Sequence, residues 1–596
     1  MLHRRSRHRG GGDRHHRHPT GGISDHRRVR VPDHNSPAAR SPDPITIEIL
    51  RNAFIMAAEE MNAALIRSAY TPVIYESKDC AVALIDSRHR VLGQSSGVPL
   101  FLGNLEACTL GTEEMFGRSV WAEGDVWIMN DPYLTGTHMH DVTVFAPIFY
   151  RGDLAGFAAS RAHWLDIGAK DPGVPMDATE VFQEGVRLPP TQVMRGGEPV
   201  EDIWSIIESN VRFPKSAIGD MKAQFAVSAI GQHRLGALFD RYGRETVEAA
   251  AEEIFRQSER LDREAIRAIP DGLYTAEGCL DSDGVGDEPV WIRVKITVDG
   301  EHLVFDLTGT EGPGQGPINC GAVQTLSACR LAFKYLFNSH QPVNGGTFRP
   351  LEVLTKPGSI LAARAPAACQ FYFTPLGLMI DLICSALSPA LPDAVPAAHY
   401  GDGMVFQFTG INPPTGELFL ENEPHVGGWG ASQGQDGEDG MIWTLSGNFH
   451  DMPIEVFESK FPARVTDYGF RQDSAGAGRW RGGSGIIREY EMTTDTEMSL
   501  WFERSRHPAW GLFGGRGGAP PEVIINPGSP DEVRRLKTNR MPLRKGDIVR
   551  CYTGGGGGYG DPLERDPQAV LADLADGFIS PEYAEKHHRP NSHSEN

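Results

Sequence analysis

Three side chains in the stretch Asn130–Gly168 have the types and spacing to share one metal ion: His138, Asp141 and His163. Val142 to Ile148 is mostly β-branched and apolar, as a strand requires. Tyr150-Arg151-Gly152-Asp153 reads as a turn, and Leu154 to Ala159 as the returning strand. Asp141 and His163 each lie eleven residues from Gly152. An antiparallel hairpin therefore sets them opposite each other, with Cβ atoms about 5 Å apart. His138, three residues before Asp141, can close a third side. Two imidazoles and a carboxylate with open positions suit a catalytic divalent ion, whether zinc, manganese or iron(II). A turn-capping aspartate with two ordinary polar histidines is the alternative on spacing alone. His140 neighbours Asp141, so in a strand it belongs on the opposite face. Asp79 precedes the next strand-like run upstream and reads as a solvated turn residue or a fourth ligand. Downstream, Glu180, Gln183 and Glu184 lie in a polar stretch that reads as a surface loop.

Composition narrows the function classes. A chain of 596 residues suggests several lobes or two to four domains. A net charge of −21 argues against a nucleic-acid binder, and no run of 18 apolar residues marks a membrane span. The eight cysteines form no CxxC pair and no secretory signal is visible, which fits reduced cytoplasmic thiols. Residues 1–42 stand apart. The first 40 hold ten arginines against three aspartates, few apolar residues and no lysine. Such an arm is expected to be a disordered extension.

The elements that must position the hairpin read as mixed α+β, a helical and hairpin N-terminal part followed by a β-rich remainder. Asp43 or Thr46 caps a helix of about 22 residues whose apolar positions run from Ile47 to Leu65 at steps of three and four. Short strands are expected at Cys80–Leu84, Arg90–Gly93 and Gly97–Leu100, and helices at Leu102–Phe116, Ala217–Leu238 and Glu245–Ala265. A soft boundary falls near Pro270, dividing residues 43–270 from 271–590. Beyond it strands prevail, among them Val290–Val298, Val405–Gln407, Ile442–Leu445 and Ile486–Glu491, with helices at Ala322–Phe337 and Ile380–Leu391. Thr553–Gly560 is TGGGGGYG, without the Lys-Ser/Thr of a Walker A loop. A tight turn, or close backbone approach to a ligand or another subunit, is the expected use of those glycines.

Several long strings together resemble the hydantoinase B family. They include NDPY-x4-H-x2-DV at Asn130–Val142, RAHWLDIG at Arg161–Gly168 and ATEVFQEG at Ala178–Gly185. Further on are NGGTFRPLEV at Asn344–Val353, DSAGAGRWRGGSG at Asp473–Gly485 and GGGGYGDPLERDP at Gly555–Pro567. The family includes the B subunits of N-methylhydantoinases and the corresponding half of 5-oxoprolinases, and it is related to acetone carboxylase alpha subunits. The resemblance implies a metal at His138, Asp141 and His163, with Asp79 a further ligand. It implies a role for Glu180 and Gln183 in contacting substrate or supporting the ligands. It also implies a larger A-type ATPase subunit in a hetero-oligomer, which would use the ATP for which this chain has no motif. On that view the partner activates an amide or carbonyl oxygen. The metal here lowers the pKa of a bound water, and Asp141 or Asp131 takes the proton. Between Pro366 and Gly377 this chain departs from the family pattern with PAACQFYFTPLG, and the later His399-Tyr400 is similar to the carboxylase branch. ATP-dependent opening of a hydantoin or lactam ring is the first expectation, ketone carboxylation the second, and a non-catalytic scaffold for the A subunit the third.

Overall fold

The hairpin is the centre of a seven-stranded antiparallel sheet. In a computed structural model of the chain, residues 42–588 are described, and from Pro42 onward they form one compact unit. The arginine- and histidine-rich arm, save Pro42, and the final eight residues lie outside the described residues. The strands are β1 (Cys80–Asp86), β2 (Val91–Gln94), β3 (Val126–Met129), β4 (Asp141–Tyr150), β5 (Asp153–His163), β6 (Thr191–Arg195) and β7 (Glu198–Pro199), in the order β2-β1-β5-β4-β3-β6-β7. β4 and β5 have neighbours on both sides and are covered on both faces. That explains why they read as apolar runs rather than as a clean in–out alternation.

One face is covered by helices. α1 (Pro44–Ser68) starts where the Asp43 carboxylate accepts from the backbone N–H groups of Ile45 and Thr46. Its expected stripe, Ile47, Leu50, Phe54, Ala57, Met61 and Leu65, is buried throughout. Short helices α2 (Pro72–Tyr75), α3 (Pro99–Leu102), α4 (Ala107–Phe116), α5 (Pro132–Thr135) and α6 (Glu201–Asn210) lead to the long α7 (Pro214–Tyr242) and α8 (Arg244–Arg267). Val82 and Leu84 of β1 and Ala158 and Ala162 of β5 pack in one core with Phe54, Met61, Val227 and Leu235. Each large side chain removed from water there contributes about 1.5–3 kcal/mol. The alternate residues face the other way, Phe145, Phe157 and Ala159 joining Trp121 and Trp127. Asp141 and His163 share the parity of this second face.

Three expectations fail locally. Leu102–Phe116 is not one helix, because α3 ends at Gly103 and α4 begins at Ala107. The Gly103 carbonyl accepts from Arg330 Nη1 at 2.6 Å, and a Cβ at Gly103 would stand 2.2 Å from Ser327 Oγ. The crossing of another helix there ends α3. Gly97–Leu100 and Ile442–Leu445 are not strands either. Pro99 opens α3, and of the second segment's surroundings only Met441 bridges, to Gly427.

After α8 come β8 (Gly272–Leu280), β9 (Val290–Asp299), β10 (His302–Asp306), α9 (Ala322–Leu336), β11 (Leu351–Leu354), α10 (Phe373–Leu387), β12 (Val405–Ile411) and β13 (Leu418–Pro424). α11 (Ile454–Lys460), β14 (Ala463–Phe470), β15 (Ile486–Met492), β16 (Thr496–Trp501), β17 (Glu522–Ile525), β18 (Val533–Arg534), β19 (Lys537–Leu543) and β20 (Ile548–Tyr552) complete three further sheets. Their orders are β11-β10-β9-β8, β13-β12-β16-β19 and β14-β15-β20-β17-β18. One core spans the helical and β-rich parts, taking Leu100 and Phe101 together with Phe371, Leu382, Phe406 and Trp501.

The glycine run follows β20 and is buried from Thr553 to Gly558. It approaches the chain's own backbone. Gly554 O accepts from Gly428 N, Gly556 N donates to Gly483 O, Gly557 N donates to Ala398 O, and Gly558 N donates to Arg516 O. One segment is thus hydrogen-bonded to several others arranged around it. None of these glycines has a positive φ, so the requirement is space. A Cβ at Gly556 would lie 1.9 Å from Trp429 O, and one at Gly557 would lie 2.0 Å from Trp510 O.

Candidate metal centre

The register of the hairpin is set by its turn and by one extra residue. Arg151 and Gly152 both have positive φ, 53° and 87°, which is the twist a two-residue hairpin turn needs. Tyr150 pairs with Asp153 and Phe149 with Leu154, but Ile148 then pairs with Gly156. Ala155 is a bulge. Without it Asp141 would oppose Ala162, and His163 would turn to the helix-covered face. With it Asp141 pairs directly with His163.

His138 completes the group from the turn after α5. Its Nε2 is 2.9 Å from Asp141 Oδ1 and 3.2 Å from His163 Nδ1, and that nitrogen is 3.3 Å from Asp141 Oδ1. All three residues are buried. Two imidazole nitrogens facing each other and one carboxylate oxygen present three lone pairs to a single point. A proton serves such atoms only in pairs, whereas a divalent cation takes all three, so the donor set fits a metal. Burial alone would raise the Asp141 carboxyl. The His138 charge and the hydrogen bonds from His138 and His163 outweigh burial and hold the carboxyl below its ordinary range. For His163 burial works downward, but Asp141 and Asp79 prevail and raise it.

Asp79 lies beside the group rather than in it. Its Oδ2 is 3.8 Å from His163 Nδ1, and its backbone carbonyl accepts from His163 N at 3.1 Å. Burial raises its carboxyl, more than His163 lowers it.

The supporting groups come from a distant segment, Cys369–Tyr372. His138 Nδ1 is 3.1 Å from the Gln370 carbonyl oxygen. A proton donated there leaves Nε2 free to ligate. The Gln370 side-chain amide is 2.6 Å from the same nitrogen. Tyr372 donates to Asp141 Oδ2 at 3.0 Å. Glu184 holds this segment in place, its Oε1 accepting from Cys369 N at 2.8 Å and Gln370 N at 2.7 Å. Glu184 is fully buried, and burial pushes its carboxyl up to about 8. The sequence offers no positional signal for Gln370 and Tyr372, which are 232 and 231 residues from their partners.

Other sequence candidates are placed differently. Asp131 caps α5 by accepting from Tyr133 N at 2.9 Å and lies 3.6 Å from Arg187 Nε. Glu180 is exposed and bridges Ala367. Gln183 accepts from Thr179 N. In that motif it is Glu184, not these two, that supports the site. His140 precedes the strand instead of standing in it, so the opposite-face expectation does not apply. Its ring lies 5.4 Å from that of His163, nearly parallel, with Nε2 3.1 Å from Gly173 O. Burial lowers its pKa well below the usual value. His399 stacks on Trp429, and neither it nor Tyr400 lines the pocket at the site.

That pocket opens over Asp79, His138, Asp141 and His163. Its cavity volume is about 70 Å³, a narrow slot that opens to solvent at its mouth.

Comparison with known proteins gives the family. Residues 43–562 match the family described as Hydantoinase B/oxoprolinase. A Pseudomonas sp. (strain NS671) protein provisionally named as the B component of a D-/L-hydantoinase is 34% identical over 563 residues, which span 91% of this chain and 94% of that protein. The crystal structure of the ATP-dependent caprolactamase from Pseudomonas jessenii matches with a TM-score of 0.85 at 28% identity, covering 91% of this chain and 96% of that one. A nucleotide-free acetone carboxylase structure matches with a TM-score of 0.83 at 20% identity, covering 92% and 80%, and shares the fold. With nearly the whole folded chain matched, this protein belongs to the Hydantoinase B/oxoprolinase family.

Proposed function

We propose that this chain is the B-type subunit of an ATP-dependent cyclic amide hydrolase, opening a hydantoin or lactam ring beside an A-type ATPase partner. The observation that carries this reading is the convergence of His138, Asp141 and His163 at the floor of a narrow pocket, in a chain whose relatives are named hydantoinase and caprolactamase subunits. In the net reaction the amide C–N bond breaks, water supplies the acid oxygen and the amine proton, and ATP becomes ADP and phosphate on the partner. His138, Asp141 and His163 would hold a divalent ion, which supplies Lewis acidity and a water of lowered pKa. Gln370 fixes the His138 ring, and Tyr372 fixes the second oxygen of Asp141. With Asp141 committed to two imidazoles and a phenol, the proton-accepting role falls to Asp79, a pocket-lining carboxyl raised by burial.

The test is turnover by the chain co-purified with its A-type partner, with hydantoin, 5-oxoproline, ε-caprolactam and acetone plus bicarbonate in parallel. ATP-dependent ring opening by the wild type, and less than about 1% of it in His163→Ala with the fold and complex retained, is the expected result. Bicarbonate-dependent loss of acetone instead would replace the amide reading with ketone carboxylation. Full activity in His163→Ala would reject the metal-centred site. Dissociation of that variant from its partner would point to a scaffold.

A further inference from the structure

β13 is an edge strand of its sheet, and beside it lies a second cavity of about 220 Å³. The walls of this cavity are mostly apolar, with Phe213, Phe419, Met452 and Phe461 among them. β13 also gives Asn422 and Pro424 to the metal pocket, and Asn422 lines both spaces. The other polar side chains of the second cavity are Ser77, Glu421 and Lys460.

Glu421 has no partner in this apolar setting. It is 4% exposed. What acts on its carboxyl is burial and the charges of Glu423 and Arg488, with no hydrogen bond from a described residue. Burial and then Glu423 push the carboxyl well above its ordinary range, and Arg488 opposes them only in part. Arg488 is engaged by other carboxylates. Its Nη1 is 2.9 Å from Glu423 Oε2 and 3.7 Å from Asp451 Oδ2. Glu423 Oε1 accepts from Met452 N at 3.1 Å. Lys460 is exposed, with Nζ 5.8 Å from the centroid of the Tyr75 ring. An ionised carboxyl at Glu421 needs a cation in contact, and a protonated one needs an acceptor for its O–H. The surrounding side chains provide neither.

Those groups select among occupants. An anion is repelled by Glu421 and Glu423. A neutral apolar molecule covers the walls and leaves the carboxyl unpartnered. A divalent metal ion needs several oxygen ligands, and one free carboxyl is too few. An ammonium ion on a hydrocarbon chain meets every requirement. Its N–H groups donate to the carboxylate in a charge-assisted bond, and its charge favours the ionised form that burial disfavours. Its chain covers the apolar wall, and phenyl rings attract a cation to their faces.

We infer that the cavity beside β13 is a binding site for a primary ammonium ion on a short unbranched hydrocarbon chain, held by Glu421 among Phe213, Phe419 and Phe461. The ammonium is taken by Glu421 and not by the metal-ligand group, although Asn422 forms part of the wall of both spaces.

The test uses three probes of one chain length: n-butylamine, which is a cation at neutral pH as the lysine side chain is, 1-butanol and butyrate. Binding of each to the full-length chain is measured by ligand-observed NMR. The expected result is a preference of at least about tenfold for the amine over both others. Glu421→Gln, which keeps the shape and removes the charge, should abolish that preference with the circular dichroism spectrum unchanged. Phe213→Ala, at a half-buried wall position, should weaken amine binding by about threefold or more, and it decides the matter if Glu421→Gln does not fold. Equal binding of the three probes, a preference for butyrate or butanol, or no binding of the amine overturns the assignment. So does amine binding that survives Glu421→Gln in the folded variant, the outcome expected if the metal pocket held the amine, or amine binding unaffected by Phe213→Ala.

Discussion

The metal-site hairpin and the glycine run that follows β20 solve opposite problems. In the hairpin, backbone hydrogen bonds run in one plane, which leaves two faces on which side chains alternate. One face gives Val142 and Ala162 to the helix-side cores, and the other gives Asp141 and His163 to the site. In the run Gly554–Gly558, hydrogen bonds leave in several directions to Ala398, Gly428, Gly483 and Arg516, and no direction remains for a side chain. Chemistry needs the ladder, whose flat faces carry groups. The glycine run ties those loops together through its backbone. The lesson is that a run of one residue type marks a packing requirement, whereas mixed polar types at a fixed register mark a site.

Substitutions should separate the two regions, from total loss of the fold down to a change in pH response. Gly556→Val should be the most damaging, because its Cβ would meet backbone at 1.9 Å from Trp429 O, where no side-chain shift can relieve it. We expect loss of about 4 kcal/mol or more of stability, read as the absence of soluble folded protein or a collapse of the thermal midpoint. A well-folded Gly556→Val would refute the close-packed account. Inserting one residue after Ala155 should come next. With a one-residue bulge kept, the insertion places Asp141 opposite Ala162, so metal stoichiometry measured after dialysis should fall to near zero even in whatever fraction folds. Retained metal would mean that the register is fixed elsewhere.

Gln370→Leu should keep the fold and weaken metal affinity by about 10–100-fold, the usual effect of removing a group that orients a ligating histidine. Competition with a chelator reads this directly, and an unchanged affinity would show that the Gln370 main-chain carbonyl suffices. The smallest effect is expected from Glu184→Gln, which keeps an acceptor for Cys369 N and Gln370 N. Burial raises the Glu184 carboxyl to about 8 from an unfolded value of 4.5. Its contribution is therefore fully present below about pH 4.5 and is lost as pH rises through about 8. Glu184→Gln should flatten the decline of the thermal midpoint across that window, and identical pH profiles would show that Glu184 does not titrate there.

What the sequence alone determined here is local. Asp141 and His163 belong to one hairpin, and His138 is three residues upstream, so their meeting depends only on a turn and a register. The family strings carried the same trio. The six apolar positions of α1 were legible for the same reason, since helical periodicity acts within one segment. The mixed α+β class followed from where the two periodicities fall along the chain. Tertiary structure decided everything that required two distant segments to meet. Gln370, Tyr372 and Glu184 support the trio only because the segment from Cys369 to Tyr372 folds over it. Asp131 looked like a base and became a helix cap, because the backbone N–H of Tyr133 is its nearest donor. Gly103 split an expected helix because α9 crosses there. The glycine run was legible as a place of close backbone approach, but only the packed fold identified what approaches it. Local periodicity specifies which atoms a segment offers, and long-range packing specifies which atoms meet them.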